Sequence, residues 1–239
     1  MSYVEGFLIA VPTANKQAYI ERAMKTAALL KEFGLTRVVE TWGDDVPHGK
    51  LNDLYMAVQA KDDETVLFSW FEYPDKAARQ AASDKMMSDP RMKEMVSDLP
   101  FDGSRLIWSG FEVVNDAGQG GKMGYVDGVV VPAVTAGKAT YVAFCKTIAD
   151  AFVEQGASRV VDAWGDDMLD GKKTDFKRAT QLKNDETVTY GWIEWPSKQV
   201  RDAAWPKLMN DERLSGAMDK RGVDGKRMMF GGFTPLLDL

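Results

Sequence analysis

Trp70-Phe71-Glu72-Tyr73-Pro74 returns 122 residues later as Trp192-Ile193-Glu194-Trp195-Pro196, and this echo decides how the chain is organised. The same offset aligns Tyr3 to Asp116 with Tyr125 to Asp238 without a gap, and about 40 of the 114 pairs are identical. Tyr3-Val4-Glu5-Gly6 matches Tyr125-Val126-Asp127-Gly128, and Trp42-Gly43-Asp44-Asp45 matches Trp164-Gly165-Asp166-Asp167. One module is written twice, with a first repeat expected over 1–116, a glycine-rich linker over 117–124 and a second repeat over 125–239. The linker, Ala117-Gly118-Gln119-Gly120-Gly121-Lys122-Met123-Gly124, carries little apolar surface and reads as a flexible tether. Its glycines do not make a phosphate loop, because no strand leads in with a helix following.

Within each copy the residues read as strand, helix, strand, strand, strand, helix, strand. Tyr3 to Pro12 is β-rich; Thr13 or Asn15 is placed to cap a helix whose apolar positions Tyr19, Ile20, Ala23, Ala27, Leu30 and Phe33 follow helical spacing. Gly34 supplies a left-handed stop. Arg37 to Trp42 alternates as a strand, and Leu54 to Ala60 with Thr65 to Tyr73 is expected to form a hairpin around Asp62-Asp63. Pro74 and Asp75 open the second helix, Asp89-Pro90 breaks it, and Arg105 to Val113 is the last strand. The expected class is α+β, with two ferredoxin-like β-α-β-β-α-β repeats, each with an extra strand. Helices on one face leave the other face apolar, so a second copy of the same sheet is its economical cover and the halves are expected to pack sheet to sheet as a pseudo-dimer.

Each copy resembles the YbaA-like bacterial family, domain of unknown function 1428. The segments that carry the likeness are Tyr3-Val4-Glu5-Gly6-Phe7, Phe33-Gly34, Arg37 to Trp42, Phe68 to Pro74, Lys85 to Met92 and Pro100-Phe101-Asp102-Gly103. The resemblance implies the dimeric α/β-barrel form of the ferredoxin-like fold, here closed within one chain, and implies no reaction. The second copy departs from the pattern where Asn210-Asp211-Glu212-Arg213 stands for Ser88-Asp89-Pro90-Arg91.

Composition excludes several classes of partner. With 30 basic and 36 acidic residues in 239, the net charge is -6 and no basic run offers a footprint for nucleic acid. Phe7 to Val11 is too short for a signal peptide's core, and no stretch nears the ~20 apolar residues of a membrane span. One cysteine, Cys145, cannot form an internal disulfide, which fits the cytoplasm. The one histidine, His48, corresponds to Asp170 in the other copy, so neither a symmetric histidine mechanism nor a metal site is expected.

Strand alternation puts Val66, Phe68, Trp70 and Glu72 on one face, matched by Val188, Tyr190, Trp192 and Glu194. Val38, Glu40 and Trp42 share a face of the preceding strand, matched by Val160, Asp162 and Trp164. If these faces both line the space between the sheets, each half presents two carboxylates among aromatic rings with Arg105 or Arg227 nearby. A carboxyl in such a pocket shifts toward the range useful for proton transfer, which makes Glu72 and Glu194 the candidate acids or bases. The competing expectation is a structural ion pair of Glu72 with Arg79 or Arg105. Two functions follow: a cofactor-free protein that binds or transforms a small organic molecule between the sheets, or a non-catalytic structural or protein-interaction module.

Overall fold

The fold starts from a run of β-formers, Tyr3–Pro12 (β1), and in the computed structural model residues 2–215 and 222–239 are described. Met1, in the first expected repeat, and residues 216–221, in the second, lie outside the described residues. The first repeat continues through Lys16–Glu32 (α1), Arg37–Asp45 (β2), Leu54–Ala57 (α2), Glu64–Tyr73 (β3), Lys76–Ser88 (α3), Pro90–Ser97 (α4) and Ile107–Gly118 (β4). The second repeats the order with Tyr125–Val134 (β5), Lys138–Glu154 (α5), Arg159–Asp167 (β6), Phe176–Ala179 (α6), Glu186–Trp195 (β7), Lys198–Leu208 (α7), Glu212–Ser215 (α8) and Met229–Asp238 (β8).

Each half orders its strands β4-β1-β3-β2 or β8-β5-β7-β6, all antiparallel, and the two halves join edge to edge into one closed eight-stranded barrel. The seams are β2 with β8, where Trp42 faces Thr234, and β4 with β6, where Val113 faces Ala163. Closure removes the unpaired edges that each half would otherwise present. The sheets therefore share their edges as well as their inner faces. Among the described residues no helix is long and apolar enough to cross a membrane.

Three local expectations change. Leu54 to Ala60 is not a strand: Asp53 accepts the Met56 amide at its side chain and starts the single turn α2, so no extra strand forms in this segment. Neither Thr13 nor Asn15 caps α1 with its side chain; Thr13 Oγ1 hydrogen-bonds Thr65 Oγ1 and Asn15 Nδ2 donates to the Pro100 carbonyl. The stretch after Gly118 is anchored by more than a tether would be, since the Gly120 amide donates to Ser158 O, the Gly124 amide donates to Trp195 O, and Met123 is buried. Other signals hold: Gly34 takes φ +106° after α1, and Asp89-Pro90 separates α3 from α4.

The barrel interior is filled by side chains. Phe68 stacks on Tyr190 at 4.3 Å between ring centroids, Trp70 stacks on Trp192 at 4.5 Å, and Phe111, Phe176 and Phe233 pack around them. Gly6 and Gly128 leave the room these rings need: a Cβ at Gly6 would sit 2.8 Å from the Tyr190 ring, and one at Gly128 2.7 Å from Phe68. One end of the barrel is plugged by α2 and α6, whose Leu54, Ala57, Phe176 and Ala179 belong to the same packed cluster. The other end carries charge.

Candidate functional site at the barrel mouth

Arg37 begins β2 and Glu72 ends β3; Arg159 begins β6 and Glu194 ends β7; Asp116 and Asp238 lie at the ends of β4 and β8. Antiparallel order brings these six ends to one mouth. Arg37 donates from Nη1 to Glu194 Oε1 at 2.6 Å and from Nη2 to Glu194 Oε2 at 3.1 Å, and grips Asp238 through Nε and Nη2 at 2.7 and 2.8 Å. Arg159 mirrors it, donating to Glu72 at 2.8 and 3.0 Å and to Asp116 at 2.9 and 2.8 Å. Bidentate contacts of this kind are the strong form of the ion pair. Four carboxylates face two guanidiniums, a formal excess of two negative charges.

The rings beneath complete the layer. Trp70 Nε1 donates to Glu72 Oε1 at 3.1 Å and Trp192 Nε1 donates to Glu194 Oε1 at 3.0 Å, so the stacked tryptophans orient the carboxylates above them. Burial works against the charge on Arg37, but hydrogen bonds to Asp238 and Glu194 outweigh it and hold the guanidinium further above its usual range. Above the network lies an open recess of about 600 Å³, lined by Arg37, Asp116, Gly118 to Gly121, Arg159, Glu194 and Asp238.

The sequence-predicted residues divide. Phe68, Trp70, Tyr190 and Trp192 line the interior, and Glu72 and Glu194 rim the mouth, as their shared strand face implies. Glu40, Trp42, Asp162 and Trp164 point the other way, to the helix-covered outside. There Tyr19 donates to Glu40 at 2.6 Å, Asn115 donates to Asp162 at 3.0 Å, and the two tryptophans pack beside α1 and α5. Their inward neighbours are Val39, Val161 and Ala163. Both faces of these strands are buried, so alternation alone does not say which is inside. Burial raises the carboxyls of Glu40 and Asp162 above the usual carboxylate range.

Arg105 and Arg227 are not near the glutamates of the mouth. Arg105 pairs with Glu64 at 2.5 Å and with Asp102, and Arg227 pairs with Glu186 at 2.5 Å and with Asp224. Arg79, the other expected partner of Glu72, instead bonds Glu5 at 2.8 Å and Asp167 at 3.0 Å. The Gly-Asp-Asp ends of β2 and β6 belong to the strands, and each reaches a helix of the opposite half: Arg79 and Lys76 meet Asp167 and Asp166, and Arg201 meets Asp45. His48 sits in an exposed loop, and Cys145 is buried on the inner face of α5.

Sequence reasoning missed Arg37, Arg159, Asp116, Asp238 and Met123. Four of these had a signal: Arg37 with Arg159 and Asp116 with Asp238 are identical charged pairs at the repeat offset, at strand ends.

A family model described as protein of unknown function (DUF1428) matches residues 2–103 and again 124–225. The uncharacterized protein YbaA of Escherichia coli K12 is 57% identical over 116 residues, which is 48% of this chain and 99% of that protein. YbaA of Shigella flexneri matches to the same extent. A relative of this length carries one copy where this chain carries two. Among solved structures, a candidate monooxygenase from Lactobacillus acidophilus NCFM superposes with TM-score 0.60 at 9% identity, covering 99% of this chain and 95% of that one. An anthrone oxidase-like protein superposes with TM-score 0.52 at 13% identity, covering 100% of this chain and 92% of that one. At these identities the likeness shows a common fold.

Proposed function

The chain belongs to the DUF1428 family in both of its halves, and from that premise we propose that it binds a small organic molecule at the barrel mouth rather than inside the barrel. The observation that carries this reading is the recess of about 600 Å³ over the Arg37, Glu72, Arg159 and Glu194 network. The interior between the sheets is occupied by stacked rings, so at this end of the barrel a ligand's space lies above them. The donors of Arg37 and Arg159 are taken up by four carboxylates, whereas the Asp116 and Asp238 oxygens each accept from a single guanidinium nitrogen and keep a lone pair. Such a surface suits a molecule that brings hydrogen-bond donors or a positive charge, such as an amine or a polyol. No cofactor enters this reading. Assignment to the cytoplasm rests on the single buried thiol of Cys145.

A second reading, a non-catalytic structural or protein-interaction module, is supported by the direction of the ion pairs. Glu194 and Asp238 meet Arg37, and Glu72 and Asp116 meet Arg159, so each of these four bidentate pairs at the mouth runs from one half to the other. The same side chains would then serve only to hold the halves together.

A thermal-shift screen against several hundred metabolites separates the two, run on the unmodified chain and on the Glu72→Gln, Glu194→Gln double variant. A ligand at ~100 times its dissociation constant adds about 2.7 kcal/mol. A hit lost in the variant supports the mouth as a binding site. Silence across the library transfers the assignment to the structural module.

A further inference from the structure

The glycine-rich segment between the repeats crosses the mouth, and one side chain of it is buried. Along 117–124, Met123 is the buried residue, at 8% exposure, while Gln119, Gly121 and Lys122 are exposed. Met123 packs in the same cluster as Trp70 and Trp192, and its sulfur lies 3.8 Å from Arg37 Nη2. A thioether thus sits beside the charged rim, packed in one cluster with the stacked rings. By the repeat offset its counterpart is Met1, which lies outside the described residues.

The backbone leading to Met123 is glycine-rich and pinned at few points. Gly118, Gly120 and Gly121 take φ of +93°, +70° and +134°, a region that side-chain-bearing residues rarely adopt, and a Cβ at Gly120 or Gly121 would touch nothing within 4 Å. Beyond the end of β4, two backbone bonds hold the segment down, Gly120 N to Ser158 O and Gly124 N to Trp195 O. Few contacts and an exposed backbone mark the low-stability end of a structure.

We propose that residues 119–124 are a hinged strap over the ligand site, with Met123 seated in the apolar subsite that a ligand's hydrocarbon portion takes when the strap lifts. This inference rests on the reading of the mouth as the ligand site and adds how that site is opened. Met123 acts as an internal occupant: unbranched and polarisable, it fills the space over the tryptophans without locking it. The ligand class narrows to a small amphiphile with an apolar arm of about the length of a methionine side chain and a donor-bearing head for the carboxylates.

Native-state thiol labelling tests the strap in the full-length chain, because Cys145, 1% exposed on the inner face of α5, provides a buried internal reference that reacts when the packed structure around it opens. In a Met123→Cys variant, the introduced thiol is expected to react with 5,5′-dithiobis(2-nitrobenzoic acid) at least about 100-fold faster than Cys145, at a rate unchanged by urea below the unfolding transition. Equal rates with the same urea dependence for both thiols would mean that the strap opens only when that packed structure does, and would overturn the proposal. Hydrogen exchange on the unmodified chain guards against a misfolded variant. The Gly120 and Gly124 amides should exchange well ahead of those of β3 and β7, and exchange in step with those strands would equally overturn it. Labelling requires no ligand, so a fast thiol with a silent metabolite screen sinks the binding site alone, and a slow thiol with a hit sinks the strap alone.

Discussion

Arg37 Nη1 lies 2.6 Å from Glu194 Oε1, and the two residues belong to different copies of the repeat. The mirror contact, Arg159 Nη1 to Glu72 Oε1 at 2.8 Å, makes the mouth a joint between the halves as well as a polar surface. Replacing Arg37 by leucine leaves Glu194, whose side chain is 1% exposed, with the neutral Trp192 indole and a single looser cation, Arg159 at 3.5 Å. The expected loss, reduced for the 18% exposure of Arg37, is about 2–4 kcal/mol in urea unfolding. A second replacement, Glu194→Leu, should add much less than its own single effect, because the stranded charge is then gone.

Far from the mouth, Arg105 holds Glu64 in a buried pair that also caps the Gln59 carbonyl. Hydrogen bonds from Arg105 are the main reason the Glu64 carboxyl sits below the usual carboxylate range. A lowered folded value contributes stability above the ordinary carboxylate pKa, and that stability is lost as pH falls through the lowered value. Arg105→Met should therefore lower the melting temperature at pH 7 and weaken the pH dependence of melting in the acid range. A variant that melts like the parent across pH 2–7 would show the pair to be idle.

Glu40 behaves in the opposite sense. Burial raises its carboxyl, and Tyr19 donates to it at 2.6 Å. A raised folded value gives stability that is full below the ordinary carboxylate pKa and declines, by about 1.4 kcal/mol per pH unit, as pH rises toward the folded value. Glu40→Gln keeps an acceptor for Tyr19 and cannot ionise. It should match the parent near pH 4 and melt higher at pH 8; equal curves at both values would contradict the raised carboxyl.

The interior claim is testable through glycine. A methyl group at Gly6 has to enter the Tyr190 ring and one at Gly128 the Phe68 ring, at 2.8 and 2.7 Å. Since these rings stack on each other at 4.3 Å with backbone on both sides, neither has somewhere to go. Gly6→Ala and Gly128→Ala should each destabilise by about 1–3 kcal/mol. Neutral behaviour would reveal an interior with free volume, and would reopen it as the ligand site.

The residues explain what could be read in advance. Repeated Tyr-Val-x-Gly and Trp-x-Glu segments announced two equivalent sheets, and the inward face of Phe68, Trp70, Tyr190 and Trp192 stood out because it is better preserved between the copies than the Leu67, Ser69, Phe71 and Tyr73 face. Glu40 and Trp42 were turned to the wrong side because helix and barrel both bury β2 and its polar residue happens to face the helix. The partner of Glu72 was out of reach for a different reason. Arg159 stands 87 residues away, in the other copy, and only closure of the ring sets it beside Glu72. The Leu54 to Ala60 segment failed on length: its apolar residues are few enough for strand or helix, and the Asp53 cap decided for helix.

The most direct test of the account is to cut the chain between its halves. A protease site inserted between Gly120 and Gly121, cleaved under native conditions and followed by gel filtration, asks whether the two copies complete one barrel. Because the β2–β8 and β4–β6 seams and the Arg37–Glu194 joint all cross between copies, the cleaved protein should still elute as one particle near 26.6 kDa and should re-form it after denaturation. Two independent, soluble, well-folded monomers of half that mass would contradict it.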